Sequence, residues 1–226
     1  MGKYKFLLFD MDDTLFDFQA TQEVGFRFVL EQYKIPYTDE IFATYKHINH
    51  GLWRAYERGE IRKSEVFTRY TKTMQALQIP ADGAEMERLY QRQLANGTQL
   101  KADAEIICQK FATEYEMYIV TNGIASTQEK RLADTGLGKY FKEVFISEYI
   151  GALKPSKEFF SYVANHIPNF VKEDALIIGD SVACDIVGGK KARIDTCWIK
   201  NPHAEDSEVE STYIITELYE LIDIVQ

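Results

Sequence analysis

Five short stretches of this chain are almost continuously apolar: KFLLF at 5–9, MYIVT at 117–121, EVFIS at 143–147, ALIIGD at 175–180 and DTCWI at 195–199. Apolar residues at successive positions, rather than at every second one, mark strands covered on both faces. Between these stretches, at about 103–113, 124–136, 156–166 and 182–192, the pattern is helical. Strands alternating with helices of this length predict an α/β fold, a Rossmann-like doubly wound parallel sheet. The interval 18–96 breaks the alternation, offering only amphipathic helical stretches such as EVGFRFVLEQY (23–33), EIFATYKHINHGLWRAYERG (40–59) and SEVFTRYTKTMQALQ (64–78). An α/β core domain from 1–17 and 97–226, interrupted by an α-helical inserted domain at 18–96, is the expected organisation. Pro and Gly mark turns rather than a long linker, and no repeat or low-complexity tract is present.

Composition narrows the setting. The 226 residues are 46% hydrophobic, enough for one sizeable core plus a small accessory domain. A formal net charge of -9 argues against a nucleic-acid polymer or an anionic membrane as partner. Cys108, Cys184 and Cys197 are odd in number, far apart and without a CxxC pair, as expected of a reducing compartment. No apolar run approaches the roughly 20 residues that span a bilayer, and residues 1–6 match neither a signal peptide nor the myristoylation pattern, so the expectation is a cytoplasmic protein.

The chemistry collects at predicted strand ends, where doubly wound sheets bind ligands. FDMDDTL (9–15) sets Asp10, Asp12 and Asp13 straight after an apolar run, and unpaired charges of this kind are poor core material. Asp10 is placed to attack phosphorus and form an aspartyl phosphate, with a Mg2+ ion bringing the two anions together. Asp12, two residues on, is placed to protonate the leaving oxygen and then deprotonate the attacking water. Mg2+ takes oxygen ligands and keeps several waters, so Asp10, the Asp12 carbonyl and Asp180 from IIGDSVACD (177–185) would suffice. Asp185 either holds a metal-bound water or serves the dipole of its own helix. Phosphate donors are offered by VTNG (120–123): the Thr121 hydroxyl and the amides of Asn122 and Gly123 ahead of a helix, though a plain turn explains such a tetrapeptide as well. In LKPSKEFF (153–160), Lys154 precedes Pro155, which suits the start of the helix carrying Glu158 and Phe159, and its ammonium would balance the anions.

With these residues in order, the chain resembles the haloacid dehalogenase (HAD) superfamily hydrolases with a helical C1 cap over nearly its full length. Its motifs are matched by Asp10, Asp12 and Thr14, by Thr121, by Lys154, and by Gly179 to Asp185. The resemblance implies an HAD core, Asp10 as nucleophile, Asp12 as acid and base, and Asp10, the Asp12 carbonyl and Asp180 as Mg2+ ligands. It also implies phosphoester hydrolysis, because the true dehalogenases of the superfamily lack an acid at the position of Asp12. Three stretches, HINHGLWRAYERGEI (47–61), TNGIASTQEKRLADTGL (121–137) and DTCWIKNPH (195–203), are similar to its house-cleaning pyrimidine 5'-nucleotidases. The implied function is therefore a pyrimidine nucleoside monophosphate 5'-nucleotidase acting on a small-molecule phosphate monoester as monomer or homodimer. A phosphatase for phosphoglycolate or a sugar phosphate, a phosphoglucomutase-like enzyme and a non-catalytic metabolite sensor are the alternatives. Arg193 departs from the superfamily, whose members usually carry Gly after KKA.

Trp53 and Tyr56, three apart on a cap helix, share a face that either stacks on a nucleobase or packs the cap. Asn49, Arg54 and Arg58 either contact sugar or base or form a solvated face. His47 and His50 repeat the spacing of Trp53 and Tyr56, but no third His or Cys accompanies them and Mg2+ does not select imidazole. Phe16 and Phe18 either line the cavity or anchor the hinge.

Overall fold

The structure, a computed structural model, describes residues 3–201 and 207–226, so Pro202 and His203 of the DTCWIKNPH stretch lie outside the described residues. The chain divides into two units: one from Met1–Phe18 and Thr98–Gln226, the other from Gln19–Gly97.

The first unit is built on one parallel sheet. Its strands are β1 (Phe6–Phe9), β2 (Glu116–Thr121), β3 (Glu143–Ile146), β4 (Ala175–Gly179), β5 (Asp195–Ile199) and β6 (Tyr213–Ile215), in the order β3-β2-β1-β4-β5-β6. Alternate side chains of each inner strand enter opposite layers. Leu7 and Phe9 of β1, Met117 and Ile119 of β2, and Leu176 and Ile178 of β4 join one apolar cluster. Phe6 and Leu8, Tyr118 and Val120, and Ala175 and Ile177 join the other. Both faces are thus buried, which is why these strands read as unbroken apolar runs. Phe6, Leu7, Leu8 and Phe9 are all fully buried, and each contributes roughly 1.5–3 kcal/mol relative to exposure. Strand β1 is central, paired with β2 on one side and β4 on the other. The chain winds from β1 outward to β3, then returns to the opposite side at β4, so the order reverses at β1 and β4. Crossover connections diverge there and leave a crevice at the carboxyl ends of these two strands.

The second unit contains helices and, among its residues, no strand. Helix Phe18–Gln32, which begins at the end of the first unit, is followed by Asp39–Glu57, Lys63–Val66, Arg69–Ala76 and Gly83–Ala95. Thr38 caps the second by accepting from Ile41 N at 3.2 Å, and Asp82 caps the last through Ala84 N and Glu85 N. Phe26, Phe42, Tyr45, Tyr70 and Tyr90 form an aromatic centre, with ring centroids 4.5 Å apart for Phe26 and Tyr45 and 5.2 Å for Tyr70 and Tyr90. Beside them Arg69 is fully buried, its fork meeting Glu87 at 2.8 and 3.0 Å and its Nη1 donating to Asn49 at 2.8 Å.

Several details differ from the sequence expectation. Strand β6 has no counterpart in the apolar pattern, because three residues after a polar stretch are too short to show a period. The 64–78 stretch forms two helices, broken at Phe67 and Thr68. The expected helix at 182–192 opens with a π-helical turn, Val182–Ile186, before continuing as Val187–Ala192. Pro155 does not start its helix: the Lys154–Pro155 bond is cis, Ser156 is the cap, and the helix runs Lys157–His166. Arg193 closes Val187–Ala192 in the left-handed region at φ 60, the conformation in which helix ends favour Gly.

Candidate active site

Asp10 follows β1 directly, its N–H donating to the Ile178 carbonyl of β4 at 2.8 Å. Its carboxylate is nearly buried and accepts from Lys154 Nζ at 2.6 Å. The same ammonium donates to Asp185 Oδ1 at 2.7 Å and to the Val120 carbonyl at 2.8 Å, which uses all three of its N–H groups. Burial alone would lower the Lys154 pKa, but Asp10 and Asp185 outweigh it and hold the group charged.

Asp180 and Asp185 come from the end of β4 and the π-helical turn after it. One oxygen each of Asp10, Asp180 and Asp185 lies within 4.8 Å of the others. Burial pushes the Asp10 carboxyl up to about 7 despite Lys154. It also pushes Asp180 well above the usual carboxylate range, with Asp10, Asp185 and Asp13 adding to the effect. Asp185 is fully buried and its Oδ2 accepts from Ser181 N at 3.1 Å. A Cβ on Gly179 would stand 2.2 Å from that oxygen, so only glycine leaves room for the carboxylate. Trp198 Nε1 steadies the Asp180 backbone by donating to its carbonyl at 2.9 Å.

The oxygen-only donor set and the crowding of three carboxylates against one ammonium fit a hard divalent cation. Asp185 stands among the clustered carboxylates while also binding Lys154, a contact that the sequence reading did not contain.

Thr121 ends β2, buried, with Oγ1 accepting from Gly123 N and from Gln128 Nε2, each at 3.0 Å. This corrects one expectation: the Gly123 amide is engaged within the loop. The Asn122 side chain is likewise occupied, Oδ1 accepting from Lys154 N at 2.9 Å and Nδ2 donating to Lys154 O at 3.0 Å. Asn122 thus clamps the loop that presents the ammonium. The helix after VTNG, Ala125–Thr135, has its own anion: Ala125 N donates to Glu148 Oε2 at 3.1 Å.

Asp12 is half-buried and held by two side chains that sequence reasoning missed. Arg131 Nη1 donates to its Oδ1 at 2.5 Å, and Gln128 Nε2 to its Oδ2 at 2.8 Å. Both reside on Ala125–Thr135, a mostly polar helix whose buried face includes Thr127, Gln128 and Arg131, so no apolar stripe marks it. Their i, i+3 spacing is the signal available in the sequence. Phe16 is buried, and the Arg131 guanidinium lies 4.3 Å from its ring centroid and 5.8 Å from that of Phe18.

The remaining named residues belong to the helical unit. Trp53 and Tyr56 are half-buried and pack edge to face, centroids 5.9 Å apart. Asn49 is buried, its Oδ1 engaged by Arg69 within the unit, a structural contact that the substrate reading had not included. His47, His50 and Arg54 are exposed, and Arg58 pairs with Glu60 at 2.6 Å on the surface. In the first unit the three cysteines are buried and form no disulfide, and burial pushes the Cys108 and Cys197 thiols up to about 12. Among the described residues no helix is long and apolar enough to cross a membrane.

Residues 7–199 match the family model described as haloacid dehalogenase-like hydrolase. The HAD-hydrolase YfnB of Bacillus subtilis is 45% identical over all of this chain and 97% of its own length. Its magnesium-bound crystal structure covers 98% of each chain with a TM-score of 0.93. Two pyrimidine 5'-nucleotidases are also similar: PynA of Streptococcus pneumoniae, 36% identical over 97% of this chain and 94% of its own, and YjjG of Escherichia coli, 29% identical over 97% and 96%.

Proposed function

The chain belongs to the haloacid dehalogenase-like hydrolases, and from that premise we propose that it is a Mg2+-dependent phosphomonoesterase working through an aspartyl phosphate on Asp10. The observation that carries the reading is the charge balance at the β1 and β4 ends: Asp10, Asp180 and Asp185 crowd together against the single ammonium of Lys154. Asp10, Asp180 and the Asp12 carbonyl would hold the ion, with Asp185 beside them. When bound, Mg2+ supplies the positive charge that lets a carboxylate approach a phosphate dianion.

The chain's own groups supply the rest. Lys154 fixes one Asp10 oxygen, leaving the other to attack phosphorus, while the Thr121 hydroxyl donates to a phosphoryl oxygen. As the Asp10–phosphorus bond forms and the ester bond breaks, Asp12 gives its proton to the departing oxygen and the alcohol leaves neutral. The Asp12 carboxylate then takes a proton from a water that attacks the same phosphorus, which frees Asp10 and releases inorganic phosphate. The presence of Asp12 favours phosphoester over carbon–halogen chemistry.

Pyrimidine nucleoside monophosphates are the proposed substrates, supported by the similarity to PynA and YjjG over nearly the full chain. Trp53 and Tyr56 are proposed as the aromatic face for the base. The test is phosphate release with Mg2+ across nucleoside monophosphates, phosphoglycolate and hexose phosphates, with Asp10→Asn as blank. Preference for UMP, dUMP or dTMP supports the nucleotidase reading. Preference for phosphoglycolate or a hexose phosphate discards it, and dependence on an added sugar bisphosphate would indicate a mutase.

A further inference from the structure

Gln128 and Arg131 reach the site from the helix Ala125–Thr135 yet take no part in the chemistry above. Both are buried, 1% and 0% exposed. A polar amide and a guanidinium are costly to bury unless their bonds are satisfied, so the groups they meet define their task.

The two hydrogens of Gln128 Nε2 go to different groups, Asp12 Oδ2 at 2.8 Å and Thr121 Oγ1 at 3.0 Å. Its Oε1 accepts from Arg131 Nη1 at 3.1 Å. That contact sets which way the amide faces, since a flipped amide would turn its N–H groups toward the guanidinium. Thr121 Oγ1 also accepts from Gly123 N, so both of its acceptor positions are filled and only its own hydrogen is left to give. Asp12 receives Arg131 on one oxygen and Gln128 on the other, which fixes the plane of the carboxyl while each oxygen keeps a position for a proton. Gly123 makes room: a Cβ there would stand 2.1 Å from Gln128 Nε2.

We propose that Gln128, braced by Arg131, is a positioning residue that does two things at once: it aims the Asp12 carboxyl for proton transfer to the leaving oxygen, and it commits the Thr121 hydroxyl to donating to the phosphoryl group. The proposal rests on the phosphomonoesterase reading. Its signature is a dependence on the leaving group, because an ester that departs as a stable anion needs no proton whereas a poorer leaving group does.

Removing Arg131 would strip a buried pair, so the test uses Gln128→Met, which keeps length and apolar bulk and deletes the donors, with Arg131→Lys as a second variant. kcat/KM, which reports the steps through alcohol release, is measured for p-nitrophenyl phosphate and phenyl phosphate, two esters of like shape. Wild type is expected to favour the nitro ester only modestly. In Gln128→Met, p-nitrophenyl phosphate should fall by less than about 10-fold and phenyl phosphate by about 100-fold or more, approaching the pattern of Asp12→Asn. Equal losses on both esters, or no loss on either, would overturn the clamp. Should Gln128→Met melt far below wild type, Arg131→Lys must show the same split for the proposal to stand. Failure of wild type to cleave either ester, or activity retained in Asp10→Asn, would instead sink the phosphomonoesterase reading and the clamp with it.

Discussion

Replacing Lys154 with Met tests the electrostatic frame of the site. Lys154 is 1% exposed, and its ammonium holds Asp10, Asp185 and the Val120 carbonyl within 2.8 Å. Methionine matches its length but leaves two carboxylates and a carbonyl without it. Removing one partner of a buried ion pair costs about 3–5 kcal/mol. At about 2–4 °C per kcal/mol for a chain of this size, the variant should melt roughly 6–20 °C lower. The loss has a pH signature. Burial pushes the Asp10 carboxyl of the wild type up to about 7, and Lys154 keeps it from rising further. Without the ammonium the native state keeps its proton to higher pH than wild type does. The deficit therefore deepens above about pH 7, by up to about 1.4 kcal/mol per pH unit. Thermal and urea unfolding in EDTA at about pH 6 and about pH 9 would measure both effects. A variant within about 1 kcal/mol of wild type, or a deficit larger on the acidic side, would refute the reasoning.

Magnesium should protect more at higher pH. The folded carboxyl of Asp10 is raised from 3.8 to about 7, so its contribution to metal-free stability is present at low pH and lost as pH climbs toward about 7, where ionised carboxylates repel. The rise in Tm on adding Mg2+ should be larger near pH 8 than near pH 5.5, where a proton must first leave; an equal or smaller rise would contradict this. In the helical unit, Glu87→Gln should destabilise by about 3–5 kcal/mol in urea unfolding, because Arg69 loses its buried counter-charge, and a neutral effect would count against that pair as a structural element. Arg193→Gly should raise stability by about 1 kcal/mol by relieving a left-handed residue, whereas a drop in Tm would show that the arginine side chain outweighs its backbone cost.

The inner strands were legible because burial on both faces writes itself as continuous apolar runs, as in Phe6 to Phe9. The carboxylates were legible because charges directly after such runs have few structural explanations. What was hidden was polar and buried at once. Gln128 and Arg131 lie on a helix whose inward face is itself polar, so periodicity of apolar residues does not mark it. Arg69 and Glu87 are 18 positions apart and meet only when two helices pack. Asn122 and Gly123 suggested phosphate donors because a strand-to-helix turn exposes amides; in the structure the Gly123 amide turns back on Thr121 of the same tetrapeptide, and the Asn122 side chain is taken by the backbone of Lys154, 32 positions away.

The most direct test of Asp10 as nucleophile is chemical trapping. Asp12→Asn, incubated with Mg2+ and p-nitrophenyl phosphate, should accumulate the acyl phosphate because its hydrolysis lacks a base. Borohydride reduction would then convert Asp10 to homoserine, read by peptide mass spectrometry. Homoserine at position 10 that requires both Mg2+ and ester is the expected result. Unmodified Asp10 in a variant that still releases nitrophenol, or label at another carboxylate, would contradict it.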